Sequence, residues 1–301
     1  MENKITMCEV RMAREGETVR QKEIWKLCFG DPDSYIDFYY ANRYKEDETA
    51  VLLHAGEIVA MLTMIPVRMV TSDNRSFKTT MLYAIATHPK YQHKGFSTQL
   101  IDFSNRYLGA RKSKLSVLVP ANRQLYDYYR KLGYQDGFYI RETLLLRARI
   151  ESLPVDQSCK CTVSAITPAE YNRRRNKQLK GRLFIAYDDE DVAYQKKLSQ
   201  LSGVDIYAVD VEERQGCLTV ERMTSDKVLI KEILLPKDLI NVAIKQIGEQ
   251  LLAKEYVLRT SPNLGEHLGG FIRPFGMIRS QRESEQVITP EDLGYLGLAF
   301  D

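Results

Sequence analysis

The chain has 301 residues, more than a single domain of about 100–200 residues needs, so two domains are the starting expectation. Hydrophobic residues make up 44% of it, enough for a sizeable core, and 43 basic against 40 acidic side chains leave a net charge of +3, too balanced to point to nucleic acid. No run approaches the ~20 apolar residues of a membrane helix, and the first residues lack the apolar core of a signal peptide, so a cytoplasmic location without a membrane partner is expected.

Residues 17–28 carry Ile24, Leu27 and Cys28 at helical spacing, and Gly30-Asp31-Pro32-Asp33 stops that helix before a second one bearing Ile36, Tyr39 and Tyr40. Two apolar runs, 50–54 and 58–62, flank Ala55-Gly56-Glu57 and read as a β-hairpin. A third strand covers 79–87 and closes at Pro89. After Gly95, the residues Phe96, Leu100, Ile101 and Leu108 mark one face of a helix. Residues 115–119 form a buried-type strand ended by Pro120. Asn122 is then a natural N-cap for a helix that Gly133 terminates, and 139–146 supplies the last strand of the unit.

The second half repeats this plan. Thr167-Pro168-Ala169-Glu170 is a capping box with proline at the first helical position, opening an Arg-rich helix in which Arg173-Arg174-Arg175 is expected to be a solvated face. Another helix covers 189–201, a hairpin pairs 206–209 with 217–220, a strand spans 228–235 and a helix 238–253. The match lies in the order of elements and not in residue identity, so it reads as a structural duplication, with two coincidentally similar α+β domains as the competing reading. Cys8, Cys28, Cys159, Cys161 and Cys217 are odd in number and scattered, which argues for reduced thiols and against a metal site.

The most informative stretch runs from Leu82 to Thr98. A strand delivers the chain to a loop that enters a helix N-terminus, where unpaired N–H groups and the positive dipole end suit an anion, phosphate above all. Gly95 permits close approach or a positive φ, Ser97 and Thr98 are small, and His93 and Lys94 add positive charge. An ordinary capped helix after a strand is the competing reading.

Gln92-His93-Lys94-Gly95-Phe96-Ser97 resembles the Q/R-x-x-G-x-G/A acetyl-CoA loop of the GNAT superfamily of N-acyltransferases, and His88-Pro89-Lys90-Tyr91 is similar to its usual lead-in. Ser97 departs from the usual Gly or Ala but is still small. Downstream, residues 122–134 resemble the family's N-x-x-A…Y-E-K-x-G-F signature, with Tyr129 in the tyrosine position and Gly133-Tyr134 for Gly-Phe. The resemblance implies an α+β fold of tandem GNAT-like domains, each a mixed central sheet flanked by helices. It divides into a catalytic unit at 1–150, a degenerate one at 151–280, and a tail at 281–301 outside both.

The same resemblance implies acetyl-CoA as cosubstrate and a small-molecule or peptide amine as acceptor. The amides of His93, Lys94, Gly95, Phe96, Ser97 and Thr98 would hold the pyrophosphate after Gln92. The strand edge at Ile85, Ala86 and Thr87 would bond the pantetheine arm, with the strand splaying from 115–119. Asn122 would contact the cofactor. Tyr129 would be the general acid for the departing thiolate, with Tyr126 as the alternative donor. Leu125, Tyr128, Tyr129 and Leu132 also form a stripe at core spacing, so Tyr129 has a packing role open to it as well.

A glutamate that many GNAT enzymes carry on the central strand has no counterpart in Met81-Leu82-Tyr83-Ala84-Ile85. The Eis-type tandem enzymes, which this chain resembles without their third domain, bring a C-terminal carboxylate to the active site. That makes Asp301 a candidate base, and the apolar run 293–300 suits docking. Tyr35, Phe38, Tyr39 and Tyr40 could line an acceptor pocket or pack the core. No phosphate loop occurs at Leu234-Leu235-Pro236-Lys237-Asp238-Leu239, so one CoA site per chain is expected. The second unit is left to wall the acceptor pocket or to form a homo-oligomer interface. A non-catalytic CoA-binding or ligand-sensing module is the rival function.

Overall fold

The computed structural model describes residues 8–113, 115–156, 158–280 and 293–300, and the chain divides into two units. The first comprises the chain to Arg68, Phe77–Gln135 and the strand residues from Met277; the second comprises Met69–Ser76, Asp136–Gly276 and the described C-terminal residues.

In the first unit, β1 (Cys8–Met12) precedes helices α1 (Thr18–Phe29) and α2 (Asp33–Asn42), then β2 (Thr49–His54), β3 (Glu57–Val70) and β4 (Ser76–Thr87). Next come α3 (Phe96–Ala110), β5 (Leu115–Leu118) and α4 (Arg123–Lys131). Gly30 ends α1 in the left-handed conformation, its N–H bonded to the Lys26 carbonyl. β1, β2 and β3 pair antiparallel in turn, and β4 runs parallel to β5. Leu100, Ile101 and Leu108 of α3 pack on Leu52, Leu62, Leu82 and Leu118 of the sheet. Each fully buried side chain of this size contributes roughly 1.5–3 kcal/mol.

The second unit opens with β6 (Gln135–Leu146), the short α5 (Arg147–Glu151), β7 (Cys161–Ala165), α6 (Pro168–Leu179), β8 (Phe184–Ala186) and α7 (Asp189–Leu201). It continues with β9 (Ile206–Val211), β10 (Arg214–Thr224), β11 (Lys227–Leu234), α8 (Ile240–Gln250), β12 (Glu255–Thr260) and the start of β13 (Phe271–Ser280), whose residues from Met277 belong to the first unit. The series β7, α6, α7, β9, β10, β11, α8, β12 repeats β1, α1, α2, β2, β3, β4, α3, β5, with β8 inserted. Pairing repeats too: β7 lies antiparallel to β9 as β1 does to β2, and β11 lies parallel to β12 as β4 does to β5.

Three expectations need correcting. The division falls after Gln135 and not at 150, because β6 pairs antiparallel with β12 and so belongs to the second unit. The strand beside β5 is Met277–Ser280, which pairs antiparallel with Leu115–Leu118. Residues 294–300 are not a tail outside both units. They are buried in the second, where Gly294 bridges Phe138 and Tyr295 bridges Phe184.

The arginine run is the third. Arg173 is exposed, but Arg174 is 6% and Arg175 0% exposed, since a 3.6-residue period turns successive side chains to different faces. Arg175 donates to Glu232 Oε1 (2.9 Å), to the Ile185 carbonyl (2.7 Å) and to the Leu296 carbonyl (2.9 Å). Tyr171 donates to the same Glu232 oxygen at 2.7 Å, and Tyr187 donates to the Leu298 carbonyl. A buried guanidinium thereby finds both a counter-charge and backbone acceptors, which its desolvation demands.

Candidate active site

β4 and β5 hold register for only three pairs, Thr79 with Leu115, Thr80 with Ser116 and Met81 with Val117. Beyond Met81 no further pair forms, and β5 itself ends at Leu118 while β4 continues to Thr87. Tyr83, Ala84 and Ile85, just past the last pair, are partly exposed in a strand otherwise buried from Thr79 to Leu82. Ala84 has φ 49°, a left-handed residue inside a strand. That conformation costs an alanine roughly 1–2 kcal/mol and, like a bulge, re-aims the backbone groups around it.

At the end of β4 the loop is fastened by its own polar groups. The Thr87 carbonyl accepts from Cys28 Sγ (3.2 Å) and from Gln92 Nε2 (3.1 Å). His88 Nδ1 accepts from the Lys90 N–H at 3.2 Å, capping the single turn Pro89–Tyr91. His93 (φ 62°) and Gly95 (φ 78°) are both left-handed, so the loop folds sharply into α3. A β-carbon added at Gly95 would meet no atom within 4 Å, so the face of this residue is open. Phe96 does the anchoring: it is buried, and its ring lies 5.3 Å from that of His54. Lys94 Nζ stands 5.1 Å above the Tyr91 ring.

α3 has no side-chain cap, and its first backbone bond runs from the Gln99 N–H to the Gly95 carbonyl. The N–H groups of Phe96, Ser97 and Thr98 therefore have no intrahelical acceptor and sit at the positive end of the helix dipole. Gln92, His93, Lys94 and Gly95 are exposed around this turn.

The second motif lies on α4. Asn122 Oδ1 accepts the Leu125 N–H at 3.1 Å, so this side chain is committed to the cap of α4. Tyr126 is half-buried under the Arg130 guanidinium, 5.8 Å from the ring centre. Tyr129 is only 6% exposed and packs in one core cluster with Phe96, Leu100 and Leu118, edge-on to Tyr128 and Tyr134. Desolvation, with Tyr128 and Tyr134 adding to it, pushes the Tyr129 phenol well above the ordinary 10.0, which keeps it protonated. Tyr134 donates to or accepts from Ser116 Oγ at 2.9 Å. Among the described residues none bonds the Tyr129 hydroxyl, and that atom is not among the fully enclosed unpartnered ones.

The two motifs are tied by a residue that sequence reasoning counted only as core. Tyr128 Oη lies 2.7 Å from Ser97 Oγ and 3.1 Å from Thr98 Oγ1. The Ser97 departure from Gly or Ala was its one visible trace. Ala84 left no trace, since nothing in an alanine announces a left-handed turn. On the other side of β4, Trp25 packs against Tyr39 (4.7 Å) and Tyr83 (5.7 Å), and the hydroxyls of Tyr35 and Tyr83 lie 3.4 Å apart. Tyr39 is core, and Tyr35 and Tyr40 are half-buried within the same aromatic cluster. Asp301 lies outside the described residues.

Residues 9–136 match the family model for the acetyltransferase (GNAT) domain, which spans nearly all of the first unit from β1 to the start of β6. A search of curated proteins finds no match to the chain. Among solved structures, the chain is similar to a GCN5-related N-acetyltransferase from Anabaena variabilis ATCC 29413, with TM-score 0.75 and 14% identity over 92% of this chain and 73% of that one. It is similar to Eis1 from Mycobacterium abscessus, with TM-score 0.66 and 13% identity over 91% and 74%. It also matches a tandem GNAT protein from the clavulanic acid biosynthesis pathway, with TM-score 0.55 and 12% identity over 93% and 100%.

The fold is thus that of a GNAT acetyltransferase domain within a tandem arrangement, and GNAT domains use acetyl-CoA as cosubstrate. No helix among the described residues is long and apolar enough to cross a membrane.

Proposed function

We propose that the first unit is an N-acyltransferase that moves an acetyl group from acetyl-CoA to a primary amine, of a small molecule or a peptide, by direct attack. The observation that carries this reading is the end of β4–β5 pairing after Met81 and Val117, with β4 running on to Thr87 and the uncapped start of α3. The residues fit acyl-CoA on physical grounds. Three free N–H groups and the open face of Gly95 suit a pyrophosphate, and a strand edge past the last β-pair suits the amide-bearing pantetheine arm. On this reading His93, Lys94, Gly95, Phe96, Ser97 and Thr98 hold the phosphates through backbone, and Ile85, Ala86 and Thr87 meet the arm.

In the reaction, the amine nitrogen attacks the thioester carbonyl carbon, a C–N bond forms and the C–S bond breaks. Tyr129 gives its phenolic proton to the departing sulfur and regains one from solvent. The nitrogen loses a proton as the amide forms. β4 carries no carboxylate to take that proton, which leaves a water chain to bulk solvent or the Asp301 carboxylate to take it. Truncation to Phe300 tests this without disturbing the core, because Phe300 is fully buried against Tyr187 and Tyr194 and must be kept. A rate that stays unchanged over pH 6–9 after removal of Asp301 alone would remove that carboxylate from the mechanism.

The direct test of the reading is thiol release from acetyl-CoA with a panel of amines, using wild type and Tyr129→Phe. The variant is expected to lose about 10²-fold or more in kcat, the lower part of the range for a positioned acid. Because burial raises the Tyr129 pKa, the acid form persists through the ordinary tyrosine value of 10.0, so the wild-type rate has no Tyr129-dependent fall below about pH 10. CoA binding without thiol release for any amine would instead favour a ligand-sensing module.

A further inference from the structure

The hydroxyls of Ser97 and Thr98, both in the first turn of α3, converge on one atom. Tyr128 Oη stands 2.7 Å from the first and 3.1 Å from the second, and all three side chains are half-buried. A phenol has one proton to give and lone pairs to accept with, so it can satisfy both hydroxyls at once, donating to one and accepting from the other. Tyr128 is itself steadied by its neighbour, its ring lying edge-on to Tyr129 at 5.2 Å. α4, which carries both tyrosines, starts from the fixed Asn122 cap.

Serine and threonine at a helix start have another habit, which is to turn back on nearby backbone N–H groups. Among the described residues neither hydroxyl does so, and the N–H groups of Phe96, Ser97 and Thr98 have no intrahelical acceptor. The hydroxyls that would compete for them are held by Tyr128. We propose that Tyr128 is a positioning residue for acyl-CoA. It occupies the Ser97 and Thr98 hydroxyls, keeps the first-turn amides of α3 available to the pyrophosphate, and fixes that turn to the helix bearing Tyr129. This rests on the acyl-CoA reading given above. It also accounts for a serine where the family pattern has glycine or alanine: Ser97 supplies the shorter of the two bonds to Tyr128.

Tyr128 touches no reacting atom on this account, so its removal weakens cosubstrate binding and spares the chemical step. The test is isothermal titration with CoA and steady-state kinetics on wild type, Tyr128→Phe, the double variant Ser97→Ala/Thr98→Val, and the triple variant. Tyr128→Phe is expected to raise the CoA Kd and the acetyl-CoA KM about five- to tenfold, the scale of two modest hydrogen bonds lost, while kcat changes by less than about twofold. The double variant loses the tie to α4 but also the hydroxyls that would compete for the amides, so its rise should be no larger than that of Tyr128→Phe, and the triple should show no further one, because the linkage is already gone.

A Tyr128→Phe protein that binds CoA as wild type does overturns the proposal and leaves the acyl-CoA reading intact. Rises that simply multiply in the triple variant overturn it too, as does a loss confined to kcat. The Ser97→Ala/Thr98→Val protein keeps the test open should Tyr128→Phe fold poorly. A wild-type protein that does not bind CoA at all overturns the reading and this inference together.

Discussion

The same passage from strand to helix occurs twice in this chain, and the two copies differ in what they leave open. In the first unit β4 hands over to α3 through His93 and Gly95, both left-handed, and the helix begins with amides that no side chain caps. In the second, β11 hands over to α8 through Leu235, Pro236 and a single turn at Lys237–Leu239, with no left-handed residue between Leu234 and Ile240. Leu235, Leu239 and Ile240 are buried in the apolar core there, so the helix start is spent on packing. The fold alone therefore does not make a phosphate site. A residue that can turn left-handed and offer an empty face is needed, together with a helix start that the core does not claim.

The strands before those passages differ in the same sense. Past Met81, β4 presents partly exposed Tyr83, Ala84 and Ile85. Past Ile230, the last residue paired with β12, β11 presents buried Lys231 and Glu232. Glu232 is taken by Arg175 and Tyr171, and the chain at Gly297 passes so close to its other oxygen that a β-carbon there would collide. Where one unit leaves its strand partly exposed, the other is filled by its own chain.

Breaking the filled network should have the largest effect. Arg175→Leu strands the Glu232 carboxylate in the core and frees the Leu296 and Ile185 carbonyls, and is expected to cost about 3–5 kcal/mol in urea unfolding. CoA affinity, measured where the variant is still folded, should not change. Gly95→Val comes next. It forces a β-branched residue into a left-handed position and fills the open face, at about 2 kcal/mol, so the CoA Kd should rise about thirtyfold. The smallest change should come from Lys237→Ala, on the exposed side of the corresponding passage, with CoA binding and urea midpoint both within error of wild type.

Much of this contrast was legible in the sequence because it is local. The Gly30 stop, the hairpin around Gly56, the Asn122 and Thr167 caps and the glycine at 95 each act within a few residues, and each stands where its chemistry places it. The repeated order of elements was legible for the same reason. What was not legible is non-local. β6 has the alternating pattern of a strand, but nothing in it says that its partner is β12 and that Met277–Ser280 will lie beside β5.

The arginine run shows the limit at a single site. Three consecutive charges suggest solvent, and only Glu232, 57 positions away, makes a buried place for Arg175. At the candidate site the loop and Tyr129 could be named from motifs. Ala84 and the hydroxyl of Tyr128 could not, because a backbone angle and a partner across two helices leave no pattern in one sequence.

The asymmetry between the two passages is tested most directly by the stoichiometry of CoA binding in isothermal titration, on wild type and Gly95→Val. One equivalent per chain, weakened in the variant, is the result this account predicts. Two equivalents, or a single one that Gly95→Val leaves untouched, would contradict it.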